Sequence, residues 1–222
     1  MMFNKLKEYM ERIFPFMKNN KIEEGLINPI TLCFSDRKLN IDFSEELAKS
    51  SVKVVRLSML LGIATYIIFG LKYEILESPD KYLFYRIIGI IEFSTVFVLT
   101  YFSLYKKYSQ FIISGLILFG GFNVLMISLD NGNNLYVGLI LTSIYAHSLL
   151  RFRFVFASLT TWILVSTYLT IISISPDIPE FILINNTFFL VTANLLGMVA
   201  SYSIEYYMRA NFWKSRQLHE KR

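Results

Sequence analysis

Long apolar runs separated by short polar breaks dominate this chain and restrict the folds open to it. A hydrocarbon core about 30 Å thick needs roughly 20 mostly apolar residues for each helical span. An open sheet edge cannot survive in lipid, so each run is predicted as a helix. We therefore predict an all-α membrane protein with a bundle of six transmembrane helices. The predicted spans are Val54–Tyr73, Ile87–Tyr105, Phe111–Leu129, Leu135–Leu150, Phe154–Ser175 and Phe181–Ile204.

Two kinds of break alternate between the predicted spans. Three of them are acidic and rich in turn-forming residues, and these are Glu77–Asp80, Asp130–Asn134 and Ser175–Glu180. The other two are short and basic, and these are Tyr105–Lys107 and Arg151–Arg153. Such alternation is expected when successive breaks lie on opposite sides of a membrane.

The distribution of Lys and Arg predicts the orientation of the chain. Most of these residues fall in the N-terminal arm, the basic breaks and the tail, whereas Lys72, Lys81 and Arg86 lie on the other side. Because cytoplasmic segments carry the excess of Lys and Arg, we predict a multi-pass protein of the inner (plasma) membrane with both termini cytoplasmic. The net charge of +5 suits anionic lipids of the inner leaflet. Membrane lipids are therefore the expected partner, and nucleic acid is not.

The predicted spans divide the chain into three parts. Residues 1–53 form an N-terminal arm, residues 54–204 the transmembrane domain, and residues 205–222 the start of a signalling helix or coiled coil. An amphipathic helix that ends at Pro15 is predicted within the arm. It would lie on the membrane surface or pack against a partner helix, unless the arm is simply solvated. Its apolar face comprises Phe3, Leu6, Met10, Ile13 and Phe14.

The sequence contains no signature of catalysis. Its glycines form no phosphate-binding loop, and His147 and His219 are too isolated to indicate a metal site. Cys33 is the single cysteine, which excludes a disulfide framework. We expect no catalytic residue, no metal site and no cofactor in this chain.

Polar side chains inside apolar spans are the candidates for ligand contact, because such groups are costly in lipid and are usually kept for a partner or a function. Glu92 would face the bundle interior as a ligand or proton site, or it would snorkel outward and pair with Arg86 or Lys81. His147 would act as a pH sensor or hydrogen-bond to a carbonyl group. The asparagines would contact a ligand or bond between helices. The ligand candidates are Glu92, Asn123, His147 and Asn194.

The last predicted span combines a ridge of small residues with an unbroken passage into a charged tail. Ala193, Gly197 and Ser201 recur at every fourth position, a spacing that allows two helices to approach closely. The ridge predicts either a dimer contact or packing within one bundle. No Gly or Pro interrupts Glu205–Arg222, so motion or dimer geometry could pass from the bilayer to a region beyond it.

Two short stretches, one before and one after the predicted bundle, each carry a distinctive set of residues. Before the first span, Phe34, Asp36 and Leu39 lie within the sequence CFSDRKLNIDF, followed by Asn40. After the sixth span, the chain carries a glutamate, arginines and an aromatic residue; these are Glu205, Arg209, Phe212 and Arg216. Together the stretches resemble the six-helix membrane anchor of bacterial membrane-bound class III adenylate cyclases. That family has the element Phe-x-Asp-x-x-Leu-Glu, so Asn40 replaces its glutamate.

The resemblance implies a role in signalling. Catalytic domains of that family pair head to tail, so the chain would fix a homodimer and transmit a signal through Glu205, Arg209, Phe212 and Arg216. It would also act as a receptor for a lipophilic or other small ligand. ATP and Mg would be bound only by a downstream catalytic domain that makes cyclic AMP. On this basis we expect the chain to be the membrane part of a longer protein.

Two other interpretations remain open from the sequence. The chain could be the sensor domain of a diguanylate cyclase or a histidine kinase, because such sensors end in similar helices. It could also be a small channel or transporter. Against transport, the first three predicted spans are not repeated in the last three, although many transporters contain internal repeats.

Overall fold

The computed structural model describes residues 26–76, 83–130, 136–174 and 179–220. Apart from short turns and an isolated bridge between Ile27 and Phe34, these residues are helical, which confirms the all-α prediction. A π-helical turn, Tyr145–Leu149, directly extends the fourth helix. In chain order the helices are α1 (Arg37–Leu76), α2 (Leu83–Leu99), α3 (Ser103–Asp130), α4 (Tyr136–Ile144), α5 (Phe154–Ile174) and α6 (Glu180–Glu220).

Four of these helices are long and apolar enough to cross a membrane, judged by length and composition. They are α1 over Arg37–Ile68, α3 over Ser103–Ser128, and the whole of α5 and α6. Large apolar side chains remain exposed on them, including Phe119 at 73% and Phe181 at 77%. Exposed apolar surface of this kind suits contact with lipid. The arrangement of six membrane spans stays a prediction.

Hydroxyl side chains within the apolar helices bond to the carbonyl group one turn earlier. The Thr65 hydroxyl donates to the Leu61 carbonyl at 2.8 Å, and the Thr95 hydroxyl donates to the Ile91 carbonyl at 2.7 Å. Because lipid offers no hydrogen-bond partner, this local bond satisfies the hydroxyl group without a neighbouring helix. Threonine and serine can therefore lie on exposed faces of these helices.

The turn between α2 and α3 lies earlier than predicted. α2 ends at Leu99 and α3 begins at Ser103, so the predicted span Ile87–Tyr105 extends too far. The basic residues of the predicted break Tyr105–Lys107 lie inside α3 instead. A kink at Tyr108 (φ −118°, ψ 19°) then separates this first part of α3 from the apolar remainder.

Contacts from α1 fix the position of that turn. The Arg56 guanidinium donates from Nε to the Thr100 hydroxyl at 2.8 Å and from Nη2 to the Thr100 carbonyl at 3.1 Å. It also lies 3.6 Å from the centre of the Tyr101 ring, within the range of a cation–π interaction. Arg56 thus ties α1 to the turn, while backbone bonds such as the one from the Thr100 N–H to the Val96 carbonyl at 3.1 Å close the turn itself.

The helices pack around two apolar clusters. One cluster lies among α1, α2, α3 and the start of α5 and contains Met59, Phe93 and Ile113. The second lies among α3, α4, α5 and α6 and contains Leu125 and Leu190. α6 packs against both α4 and α5, so the last helix is part of the bundle along its apolar half.

Two long helices continue across the predicted divisions of the chain. α1 begins at Arg37, so the boundary predicted between residues 53 and 54 falls inside a continuous helix. α6 is an unbroken helix of 41 residues, and the last predicted span therefore continues into the tail as expected. Several predicted features lie outside the described residues: the amphipathic helix with Phe3, Leu6, Met10, Ile13, Phe14 and Pro15, the break Glu77–Asp80, and most of the other two acidic breaks.

Candidate functional site

The segment that precedes α1 packs back onto α6. The Tyr202 hydroxyl donates to the Pro29 carbonyl at 2.7 Å. Leu32 has a φ of 58°, and its fully buried side chain packs against Tyr202 and Tyr206. A left-handed backbone costs a residue other than glycine roughly 1–2 kcal/mol, and the burial of the leucine side chain beneath α6 offsets that cost. The segment is therefore held to α6 by packing as well as by hydrogen bonds.

The Glu205 carboxylate joins α6 to the beginning of α5. Glu205 and Arg209 are both fully buried, and the Arg209 Nε and Nη2 donate to Glu205 Oε1 at 2.8 and 2.6 Å. The other oxygen, Oε2, accepts a hydrogen bond from the Phe154 backbone N–H at 2.6 Å. Phe154 is the first residue of α5, where free N–H groups and the helix dipole favour an anion. The Arg153 Nε lies 3.7 Å from Oε1.

Burial acts on the pKa of Arg209, the basic member of this pair. It lowers the pKa of the Arg209 guanidinium, and the nearby Glu205 carboxylate opposes that shift. The pKa of a guanidinium is nevertheless so high that arginine stays protonated in proteins. Removal of one partner from a buried ion pair leaves an uncompensated charge. The arrangement of α5 and α6 at this point therefore depends on both residues.

Asn40 connects α1 to the same ion pair. Its Oδ1 accepts hydrogen bonds from Arg209 Nη1 at 3.1 Å and from the Phe34 backbone N–H at 2.9 Å, and its Nδ2 donates to the Phe34 carbonyl at 2.5 Å. The Arg209 guanidinium lies 4.2 Å from the centre of the Phe43 ring and 5.1 Å from that of Phe34. A single arginine thus contacts α1, the segment before it and Glu205.

Phe212 and Arg216 extend this contact towards the end of α6. The Phe212 ring centre lies 5.6 Å from that of Phe43 and 6.0 Å from that of Phe34. Arg216 Nη1 donates to Asp42 Oδ2 at 2.6 Å, and this hydrogen bond raises the pKa of Arg216. We call the whole arrangement the junction cluster; its members are Phe34, Asn40, Asp42, Phe43, Arg153, Glu205, Arg209, Phe212 and Arg216.

The structure places all four predicted coupling residues in the junction cluster. Glu205, Arg209, Phe212 and Arg216 are spaced four, three and four residues apart, so they share one face of α6. Sequence reasoning missed the role of Arg153, which contributed only to the charge of a basic break. No local signal identifies it, because its contact with Glu205 exists only after α5 packs beside α6.

Two of the predicted ligand candidates meet in a second buried group, the histidine cluster. His147 Nε2 lies 3.1 Å from Asn194 Oδ1 and 3.2 Å from Thr161 Oγ1, and its Nδ1 lies 3.0 Å from Ser201 Oγ. The Ser143 hydroxyl also donates to Asn194 Oδ1 at 3.1 Å. These bonds join the π-helical turn to α4, α5 and α6, and they engage both ring nitrogens of His147.

The other two ligand candidates lie apart from the histidine cluster. Asn123 Nδ2 donates to the Tyr85 carbonyl at 2.7 Å, which links α3 to α2. Neither carboxylate oxygen of Glu92 accepts a hydrogen bond within the described residues. An added Cβ at Gly120 would lie 3.4 Å from Glu92 Oε2, so the carboxylate faces the α3 backbone. The four candidates therefore do not form a single site.

The predicted ridge of small residues packs within the chain at two of its three positions. An added Cβ at Gly197 would lie 2.5 Å from His147 Cδ2, and Ser201 contacts the same ring. Ala193 is half-buried on α6. Gly197 and Ser201 of the ridge thus lie where α6 approaches the π-helical turn. The role of the ridge in a dimer stays a prediction.

The contacts described above connect helices to one another and to the segment before α1. Among the described residues, no group of three or more His, Cys, Asp and Glu side chains could hold a metal ion. Cys33 Sγ accepts a hydrogen bond from Arg153 Nη2 at 3.2 Å, which adds a contact between the segment before α1 and the start of α5. The chain matches no protein-family model, no curated protein and no solved structure.

Proposed function

We propose that this chain is the membrane anchor and regulatory domain of a class III adenylate cyclase. It would fix the geometry of a homodimer and transmit a signal along α6 to a downstream domain that makes cyclic AMP. The observation that supports this function is the contact between the two stretches that resemble the family. Residues 33–43 and 202–218 lie far apart in sequence and meet through Asn40 and Arg209, and through Asp42 and Arg216.

The continuity of α6 supports a role in transmission. α6 packs among α4 and α5 and then continues to Glu220 without a break. The junction cluster determines how the helix is rotated at the end of its apolar half, because Glu205 bonds to α5 and Arg209 bonds to α1. A shift of α1 or α5 would therefore alter the direction in which α6 leaves the bundle.

A fusion protein tests the proposal. A class III cyclase catalytic domain, which is active only as a dimer, would be joined in frame after Arg222 and expressed in bacteria that lack their own cyclase. We expect the fusion to make more cyclic AMP than the isolated catalytic domain at equal protein amounts. We also expect Asp42→Asn to change that output, because it weakens the bond to Arg216.

A matched control separates transmission from a general effect of charge. Glu45 lies one turn beyond Asp42's position in α1 and forms an exposed pair with Lys49 at 3.9 Å, so Glu45→Gln should leave the output unchanged. A fusion no more active than the isolated domain would refute the anchoring role. Equal outputs from Asp42→Asn, Glu45→Gln and the unaltered fusion would refute transmission through the junction cluster.

A further inference from the structure

A cavity of about 400 Å³ lies among α1, α2, α3 and α4. Its volume falls within the range of about 300–1,000 Å³ that is typical of sites for small molecules. Residues from all four helices form its walls, and none of them belongs to the junction cluster. Its lining includes Leu61, Thr65, Arg86, Leu116, Ile117 and Leu141.

The cavity walls offer hydrocarbon contact and few free polar groups. The Thr65 hydroxyl already donates to a carbonyl of α1, and the Ser128 and Thr142 hydroxyls donate to carbonyls of α3 and α4 at 2.9 Å. Among the described residues that line the cavity, Arg86 is the one charged residue. Its side chain already interacts with another group of the protein. Buried polar groups that are already bonded give no advantage to a polar ligand, so the walls favour an uncharged molecule.

The cavity opens between α1 and α4. Leu61 on α1 and Leu141 on α4 both line it, and they are 53% and 52% exposed. Tyr145 also lines the cavity, and its hydroxyl donates to the Ser58 carbonyl of α1. The mouth is therefore continuous with the exposed apolar surface of the helices, which faces lipid in a membrane.

We infer that this cavity binds an uncharged, largely hydrocarbon molecule that enters from the bilayer between α1 and α4. An apolar cavity of this kind excludes ordered water and accepts apolar guests. The guest is either a free lipophilic solute or an acyl chain of a membrane lipid, since both present the same hydrocarbon surface. Binding requires no downstream domain, so its failure would leave the proposed anchoring function untouched.

Photolabelling of the full-length chain in lipid nanodiscs tests the inference with two probes. The first is 3-trifluoromethyl-3-phenyldiazirine, a small uncharged solute, and the second is phosphatidylcholine with a diazirine in its acyl chain. Leu116 and Ile117 line the cavity and are buried, so lipid at the protein surface does not reach them. We expect saturable labelling of these two residues, detected by mass spectrometry of peptides.

Two tryptophan variants test whether the labelling occurs inside the cavity. Leu141→Trp places an indole in the mouth and should abolish the label on Leu116 and Ile117, and Leu61→Trp should do the same from α1. Leu159→Trp on α5 is the matched control, because Leu159 is 61% exposed and does not line the cavity; it should keep the label. Circular dichroism of each variant would establish that it is folded.

The outcome with each probe identifies the source of the guest. Labelling by the small diazirine alone indicates a free solute, and labelling by the modified lipid indicates an acyl chain; both support the inference. Absence of label on Leu116 and Ile117 with both probes would overturn it. Labelling that persists unchanged in folded Leu141→Trp and Leu61→Trp would overturn it as well.

Discussion

At the scale of single residues, the Glu205 carboxylate connects Arg209 on α6 to the beginning of α5. It accepts hydrogen bonds from Arg209, which lies one turn later in α6, and from the backbone N–H of Phe154, which is the first residue of α5. A fully buried pair gains little stability over apolar residues of the same volume, but it is costly to break. The pair therefore specifies the position of α6 relative to α5 more than it adds stability.

Removal of both members of this pair should destabilise the protein less than the two single removals added together. We expect Arg209→Met to lower the free energy of unfolding by about 3 kcal/mol, because Glu205 would remain buried without its partner. The double variant Glu205→Gln with Arg209→Met should lose less than the sum of the single losses. Denaturant unfolding in detergent, followed by circular dichroism, would measure each value.

An exposed pair provides the control for that comparison. Glu45→Gln removes a pair in which both side chains are more than half exposed, and such pairs contribute about 0–1 kcal/mol. Its effect should be small. Strictly additive losses from Glu205→Gln and Arg209→Met would show that the two buried residues are not coupled.

Asn40 should determine how firmly the segment before α1 is attached to α6. Asn40→Ala removes the bonds to Arg209 and to both backbone groups of Phe34. We expect trypsin to cleave Asn40→Ala several times faster after Arg37 and Lys38, which are exposed, because local opening controls proteolysis. Mass spectrometry of timed digests would give the rates.

A neighbouring serine tests whether any loss of a side-chain bond in α1 has this effect. The Ser44 hydroxyl bonds only within the helix, to the Asn40 carbonyl at 2.8 Å, so Ser44→Ala should be cleaved at the rate of the unaltered protein. Equal cleavage of Asn40→Ala and the unaltered protein would mean that packing of Leu32 and the phenylalanines alone holds the segment.

At the scale of elements, the position of α6 in the bundle depends on its approach to the π-helical turn. Gly197 allows the His147 ring to reach Asn194, Ser201 and Thr161. A larger residue at position 197 would displace the ring from these bonds. Gly197→Leu would thus disturb the bundle itself, and dimer formation is better tested at other positions.

Two glycines within apolar helices should respond oppositely to alanine. An added Cβ at Gly115 meets no atom within 4 Å, so Gly115→Ala should raise stability by up to about 1 kcal/mol through its helix propensity. Gly197→Ala should lower stability by about 1–3 kcal/mol, because its Cβ would overlap the His147 ring. Thermal unfolding in the same detergent compares them, and equal shifts of Tm would contradict the close contact of α6 with His147.

The helical elements were predictable from the sequence because lipid limits both the length and the hydrogen bonding of a span. Runs such as Phe154–Ser175 therefore matched α5 almost residue for residue. The position of the turn after Leu99 was not predictable, because Thr100 also bonds to Arg56 on another helix, and no local pattern identifies that contact. Glu205, Arg209, Phe212 and Arg216 were singled out by the family resemblance, whereas no pattern in the sequence pointed to Arg153 or to the partners of His147.

At the scale of the whole molecule, the distribution of charge and the apolar helices together predict an orientation. The junction cluster lies at the same end of the bundle as the basic segment Arg151–Arg153, since Arg153 contacts Glu205. If basic segments face the cytoplasm, the segment before α1 and the last part of α6 face it too. The junction cluster would then be available to a cytoplasmic output domain.

Accessibility of single cysteines would test this orientation. In a Cys33→Ser background, Lys107→Cys places a thiol in the basic part of α3, where the side chain is exposed, and Asn133→Cys places one in a predicted acidic break. In right-side-out vesicles, a membrane-impermeant maleimide should label Asn133→Cys immediately and Lys107→Cys only after permeabilisation. Both variants should react fully in detergent, which controls for local reactivity. The reverse pattern would place the junction cluster outside the cell and would exclude the proposed coupling to a cytoplasmic cyclase.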